Sequence, residues 1–228
     1  MISSQQYPLP LPCREAMEAD DFMVADSNRE AIAWIDRWPD WPSHCLVIYG
    51  PAGAGKTHLA NVWRTKSQGA LADVAHLADD PATLALSAKA IGIDGAEMAA
   101  GAAAREQGLF HLYNMLRENG GTLLLTAHRA PAQWNIGLPD LRSRLLAAPA
   151  IALAPPDDAL LAALLIKQFR DRQIDIGMDV VDFLLPRMER SPAAIRHMVT
   201  TLDSASLAAS RKITVALARH IVEAMKAS

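Results

Sequence analysis

Cysteine is almost missing from this chain: Cys13 and Cys45 are the two among 228 residues. Two thiols cannot build the disulfide framework of a small secreted fold, so a reducing cytosol is the expected setting. Long apolar runs are missing as well, and nothing approaches the ~18–20 residues that a membrane-spanning helix requires. Met1 to Pro12 carries neither a basic start nor an apolar stretch, so no signal peptide is expected there. There is no excess of positive charge. The net charge of −3 argues against a surface built to neutralise nucleic-acid phosphates, and hence against direct sequence-specific DNA binding. Aromatic residues are scarce at 5%, and the seven histidines show no metal-ligand spacing. What remains is 51% apolar and 21% charged, a composition expected of a cytoplasmic globular protein with no membrane partner.

Residues 1–20 read as an extended tail, because Pro8, Pro10 and Pro12 forbid helix there. Helical periodicity begins at Ser27. Ser27 and Glu30 have capping-box spacing, Ile32, Ile35 and Trp38 recur at helical intervals, and Pro39 and Pro42 end the helix. Cys45–Tyr49 is a short apolar run closed by Gly50, hence a buried strand, with a helix beginning near Lys56. Further strands are predicted at Ala70–Ala75, Ala90–Asp94, Thr122–Thr126 and Ala150–Leu153. The longest helix is predicted from about Ala99 to Glu118, where Asn119-Gly120-Gly121 stops it. This alternation implies an α/β domain over 21–155 with a five-stranded, mostly parallel sheet. After Pro155-Pro156 the pattern becomes helical, near 157–172, 178–189, 192–210 and 215–226, giving a small all-α domain over 156–228.

Gly50-Pro-Ala-Gly-Ala-Gly-Lys-Thr57 satisfies G-x-x-x-x-G-K-[ST]. In such a loop glycines let backbone N–H groups turn inward around a β-phosphate. The lysine, Lys56, supplies a cation to the β- and γ-oxygens, and the Thr57 hydroxyl can ligate Mg²⁺. The helix that follows points its positive end at the phosphates. A second acid from a neighbouring strand is needed for the Mg²⁺ shell, and Asp94, closing Ala90–Asp94, is the candidate. The residue after it is Gly95, where many P-loop ATPases carry an acid that activates water. The sequence therefore reads as nucleotide-binding more clearly than as hydrolytic.

Several segments, in order, resemble the DnaA/Hda branch of AAA+ proteins. Phe22–Arg29 is similar to the segment that opens the initiator domain and helps enclose the adenine, which implies Val24 and Asn28 as nucleotide contacts. The loop with His58-Leu59-Ala60 is similar to that family's, implying Pro51, Gly53, Ala54, Gly55, Lys56, Thr57 and His58. Thr122–Arg129 lies where the sensor I strand would be, implying Thr126. Leu138–Leu145 resembles the box VII segment, whose arginine before the last apolar residue reaches a neighbouring subunit's nucleotide; here that is Arg144. Leu202-Asp203 with Ala205-Ser206 matches the late lid helix. Ala193 stands where the sensor II arginine is expected, and Arg196, one turn later, is the substitute on that face. Gln6-Tyr-Pro-Leu-Pro-Leu11 resembles a clamp-binding motif with Gln6, Tyr7, Leu9 and Leu11 as anchors, Tyr7 replacing the usual Leu.

That motif, and the lack of a helix-turn-helix domain up to Ser228, point to the Hda side of the branch. The resemblance implies ADP or ATP with Mg²⁺ as ligands, and DnaA and the β sliding clamp of DNA polymerase III as partners. It leaves homo-oligomerisation open. The implied activity is in trans: docked on the clamp, the protein would offer Arg144 to ATP held by DnaA, promote its hydrolysis and repress re-initiation of replication. Alternatives are an initiator- or helicase-loader-like ATPase acting on DNA, or a stand-alone P-loop NTPase or kinase. Arg142 and Arg144 are two apart and point in nearly opposite directions on a helix, so at most one serves as the finger. Trp34, Trp38 and Trp41 read as packing, not as a base-stacking platform.

Overall fold

The computed structural model describes residues 23–79, 81–209 and 211–227. The tail, with Gln6, Tyr7, Leu9, Leu11 and Cys13, lies outside the described residues. The chain divides at Pro155/Pro156 into an α/β unit, which begins at Asp26, and a helical unit.

Five strands form the sheet of the α/β unit: β1 (Cys45–Tyr49), β2 (Ala70–Asp73), β3 (Ala90–Asp94), β4 (Thr122–Ala127) and β5 (Ala150–Ala152). Their spatial order is β2-β3-β4-β1-β5 and every pairing is parallel. β1, β3 and β4 are buried along nearly their whole length, as near-continuous apolar runs in a doubly covered parallel sheet should be. The covering helices are α1 (Arg29–Arg37), α2 (Lys56–Ser67), α3 (His76–Asp79), α4 (Pro81–Ser87), α5 (Ala103–Glu118) and α6 (Pro139–Ala147). Trp63 of α2 is fully buried; Trp41 stacks on it at 5.9 Å, and Trp38 donates to the Thr122 hydroxyl at 3.1 Å. Trp41 and Trp63 are core residues and Trp34 and Trp38 are half-buried, so the three tryptophans singled out in the sequence pack against the domain.

Several boundaries differ from those the sequence predicts, each for a local reason. β2 stops at Asp73 because its carboxylate accepts the Ala75 N–H at 2.8 Å and turns the chain. The segment at Ala96–Ala99 is a 3₁₀ turn, and Gly101, at φ 79°, separates it from α5. The capping box at Ser27 does not form. α1 begins two residues later with Asn28 at its N-cap, the Ser27 hydroxyl is buried without a partner, and Asp26 pairs with Arg29 at 2.5 Å across the entry. α3 and α4 were not anticipated between β2 and β3.

The helical unit comprises α7 (Asp158–Arg170), α8 (Met178–Leu184), α9 (Pro192–Ala209) and α10 (Val215–Ala227). Its core is Leu161, Leu165, Phe169, Val181, Leu184, Val199 and Leu202, with Ala218 and Val222 from α10. Asp157 caps α7 by accepting the Leu160 N–H at 2.7 Å, and Ser191 does the same for Ala194 at 3.1 Å on α9. Arg190 joins the two helix starts, reaching Asp158 at 2.6 Å and the Pro156 carbonyl at 3.1 Å. α8 ends before Leu185–Arg187, a 3₁₀ turn containing Pro186, which lacks the N–H to continue the helix. Among the described residues no helix is long and apolar enough to cross a membrane.

Candidate nucleotide-binding site

The loop Gly50–Gly55 leaves the carboxyl end of β1 and opens into α2. Two of its features require glycine. A Cβ at Gly50 would lie 2.1 Å from the Leu153 carbonyl oxygen, so only glycine lets β1 end flush against the strand beside it. Gly55 sits at φ 99° as the N-cap of α2, a backbone state L side chains rarely adopt. Pro51 is exposed at the rim, Gly53, Ala54 and Gly55 are partly covered, and His58 is half-buried on the first turn of α2.

Lys56 is 8% exposed, and its ammonium donates to the Gly50 and Pro51 carbonyls at 2.8 Å each. Burial holds its pKa below the ordinary lysine value, while the charges of Glu97 and Asp94 pull it back up. Thr57 donates to Asp94 Oδ2 at 2.8 Å, and Thr126 donates to Asp94 Oδ1. The second strand-end acid predicted from the sequence thus meets the loop threonine. A hydroxyl and a carboxylate side by side are the hard oxygen donors that Mg²⁺ takes beside phosphates, and these two residues fit the ion. Among the described residues there is no cluster of three or more His, Cys, Asp or Glu suited to a metal.

Thr126 is 1% exposed; its hydroxyl donates to Asp94 and accepts the Gly95 N–H at 3.2 Å, so it orients Asp94. Asn28 is buried at the start of α1. Val24 is half-buried ahead of α1 and Arg196 is exposed on α9; both belong outside the α/β unit.

Two residues the sequence reading passed over complete this edge of the sheet. Glu97 lies on the 3₁₀ turn after β3, and its Oε1 accepts both the backbone N–H of His128, at 2.9 Å, and the ring Nδ1, at 2.5 Å. Attention to the residue directly after Asp94 hid an acid three positions on. His128 follows β4, adjacent to β3, so parallel pairing brings together groups 31 residues apart.

The arginines of the predicted box VII segment lie on α6. Leu141 and Leu145 bury its inner face, Arg142 is exposed, and Arg144 is half-buried against α5. The Arg144 guanidinium lies 4.8 Å from the Phe110 ring centre and 5.4 Å from that of Tyr113, and Nη1 donates to Asn114 Oδ1. Among the described residues it forms no ion pair with a carboxylate. The approach to α6 is fixed by Glu106, which is 4% exposed and accepts the N–H groups of Gly101 (2.8 Å), Gly137 (3.0 Å) and Leu138 (2.8 Å). Burial would raise its pKa, but those three N–H groups outweigh burial and hold the carboxyl below its ordinary value.

Residues 157–222 match the family model described as "Hda, lid domain". Domain III of the Thermotoga maritima replication initiation protein DnaA is 19% identical, at a TM-score of 0.74 over 86% of this chain and 91% of that one. AMPPCP-bound DnaA from Aquifex aeolicus is 17% identical, at a TM-score of 0.69 over 80% of this chain and 63% of that one. The replication initiator DnaA bound to AMPPCP and single-stranded DNA gives 18% identity and a TM-score of 0.66, again covering 80% and 63%. The chain therefore spans less than two thirds of these longer initiators.

Proposed function

We propose that the chain is an AAA+ protein related to Hda and DnaA, an adenine-nucleotide-binding regulator acting in trans on DnaA. ADP or ATP occupies the Gly50–Thr57 loop, with Lys56 on the phosphates and Thr57 and Asp94 holding Mg²⁺, which neutralises phosphate charge when bound. Residues 6–11 dock on the polymerase sliding clamp, with Leu9 and Leu11 as apolar anchors from a stiff proline-rich segment. Arg144 is offered to ATP held by DnaA. A guanidinium set against a transferring phosphoryl group stabilises charge that builds in the transition state, an effect of ~10³–10⁵ in rate for arginine fingers. DnaA is left with ADP, and initiation is repressed.

The observation that carries this reading is how Arg144 is held. An arginine with a structural task is commonly neutralised by a carboxylate; this one rests on two ring faces and one neutral amide oxygen. Cation–π contacts at partly exposed sites are worth only ~0.5–1 kcal/mol each, so they orient the side chain without binding it irrevocably. The deciding experiment measures ATP hydrolysis by DnaA alone, with this protein, and with this protein plus DNA-loaded clamp. Strong stimulation that needs all three components supports the proposal. Stimulation by DNA without the clamp would favour an initiator-like protein, and turnover by this chain as fast as the complex would favour a stand-alone NTPase.

A further inference from the structure

Glu106 and Glu97, two carboxylates of the α/β unit, make an informative pair. Glu106 uses both oxygens: Oε1 accepts Gly101 and Gly137, Oε2 accepts Gly137 and Leu138. That is how a structural carboxylate is satisfied. Glu97 uses one. His128 occupies Oε1 twice, while Oε2 is shut away from solvent with no hydrogen-bond partner in the protein. Leaving a buried carboxylate oxygen unpartnered is costly, and such a group calls for a role beyond packing. Its position supplies one. Glu97 follows Asp94 on the turn after β3, at the strand ends where the phosphate loop lies, and its charge acts on Lys56 together with that of Asp94.

We propose that Glu97 is the general base for slow hydrolysis of this protein's own bound ATP, standing in for the acid that Gly95 lacks, with His128 as its positioning residue. The inference rests on the nucleotide-binding part of the proposed function and not on the action upon DnaA. The step requires that triphosphate binding draw Lys56 from the Gly50 and Pro51 carbonyls and admit one water to the buried Glu97 Oε2. Glu97 Oε2 accepts a proton from that water as the water oxygen bonds to the γ-phosphorus. The bond from the γ-phosphorus to the bridging oxygen breaks, ADP leaves with that electron pair, and Glu97 returns the proton to inorganic phosphate or solvent. No electron transfer and no further reactant are involved. The imidazole of His128 fixes Oε1 so that Oε2 alone is presented. The chain thereby reaches its ADP-bound form unaided.

The test uses the full-length protein with ATP and Mg²⁺ under single-turnover conditions, without DnaA or clamp. The wild type is expected to form ADP above the background of Lys56→Ala. Glu97→Gln is expected to lower that rate ~10²-fold or more, as loss of a general base does, while AMPPCP affinity by calorimetry stays within about threefold. Nucleotide released from the purified proteins gives a readout independent of turnover: Glu97→Gln should retain ATP where the wild type carries ADP. In a parallel steady-state assay, His128→Ala should lower kcat about tenfold with KM for ATP unchanged. Wild-type protein that binds AMPPCP but forms no ADP, or Glu97→Gln that hydrolyses at the wild-type rate, overturns the inference and leaves nucleotide binding standing. Failure to bind AMPPCP at all overturns both.

Discussion

Lys56 and Arg144 are both cations drawn partly out of water, and the chain holds them in opposite ways. Lys56 is clasped by two carbonyl oxygens of its own loop, strong acceptors at 2.8 Å that a phosphate can replace one for one. Arg144 leans on the rings of Phe110 and Tyr113 and on the Asn114 amide, weaker contacts that fix direction more than they fix charge. The first arrangement suits a group that exchanges one set of oxygens for another inside the same molecule. The second suits the trans role proposed for Arg144, a half-buried cation that no carboxylate neutralises among the described residues.

The most direct way to break that contrast is Lys56→Ala. Removing one partner of a buried charge-assisted contact should weaken adenine-nucleotide affinity by on the order of 10³, measured by calorimetry on stripped protein; unchanged affinity would remove Lys56 from the phosphates. Arg144→Ala should leave that affinity alone and lower stimulated hydrolysis on DnaA by ~10² or more. Arg144→Lys should rescue it poorly, because an ammonium cannot reproduce the planar guanidinium fork.

A smaller loss is expected at Glu106, which anchors the approach to α6. Glu106→Gln strands N–H groups that the carboxylate satisfies, and should cost about 1–3 kcal/mol in stability by denaturant unfolding. The same group gives a pH dependence. Its folded-state pKa lies below the ordinary glutamate value of 4.5, so its stabilisation is complete above that value and is lost as pH falls through the depressed one. The acid limb of the melting curve should flatten in the variant. Asn114→Ala should lower stimulated hydrolysis only about three- to tenfold, the net worth of a typical single hydrogen bond. Arg142→Ala, exposed and on the opposite side of α6, should stay within ~0.5 kcal/mol in stability and leave the stimulated rate unchanged; a large effect there would exchange the roles of the two arginines.

What the sequence disclosed follows from how local each feature is. Eight contiguous residues dictate the phosphate loop, and strand alternation places Asp94 at a sheet edge, so the Thr57–Asp94 contact was legible in advance. Glu97 and His128 were not, because only the adjacency of β3 and β4 joins them. Asn114 as the partner of Arg144 likewise needs the packing of α6 on α5. In the fold, the buried strands were readable as apolar runs, whereas α3 and α4 are too short for a helical period to show. At Ser27 the capping-box spacing does not produce a cap: α1 starts two residues later, with Asn28 at its N-cap and Asp26 paired to Arg29 across the entry.

The staple at Glu106 also has a kinetic consequence. Gly101 lies on the turn before α5 and Gly137 and Leu138 on the stretch before α6, yet all three amides end on one carboxylate. Their protons cannot open independently of that side chain. In native-state hydrogen exchange they should therefore behave as one cooperative unit, exchanging at a common opening free energy and separately from the deeper amides of β4. The segment leading to the arginine helix would then be gated not by its own loop but by a side chain 31 residues away from Gly137 in the first turn of α5, and substitution of that one residue should release all three protons together.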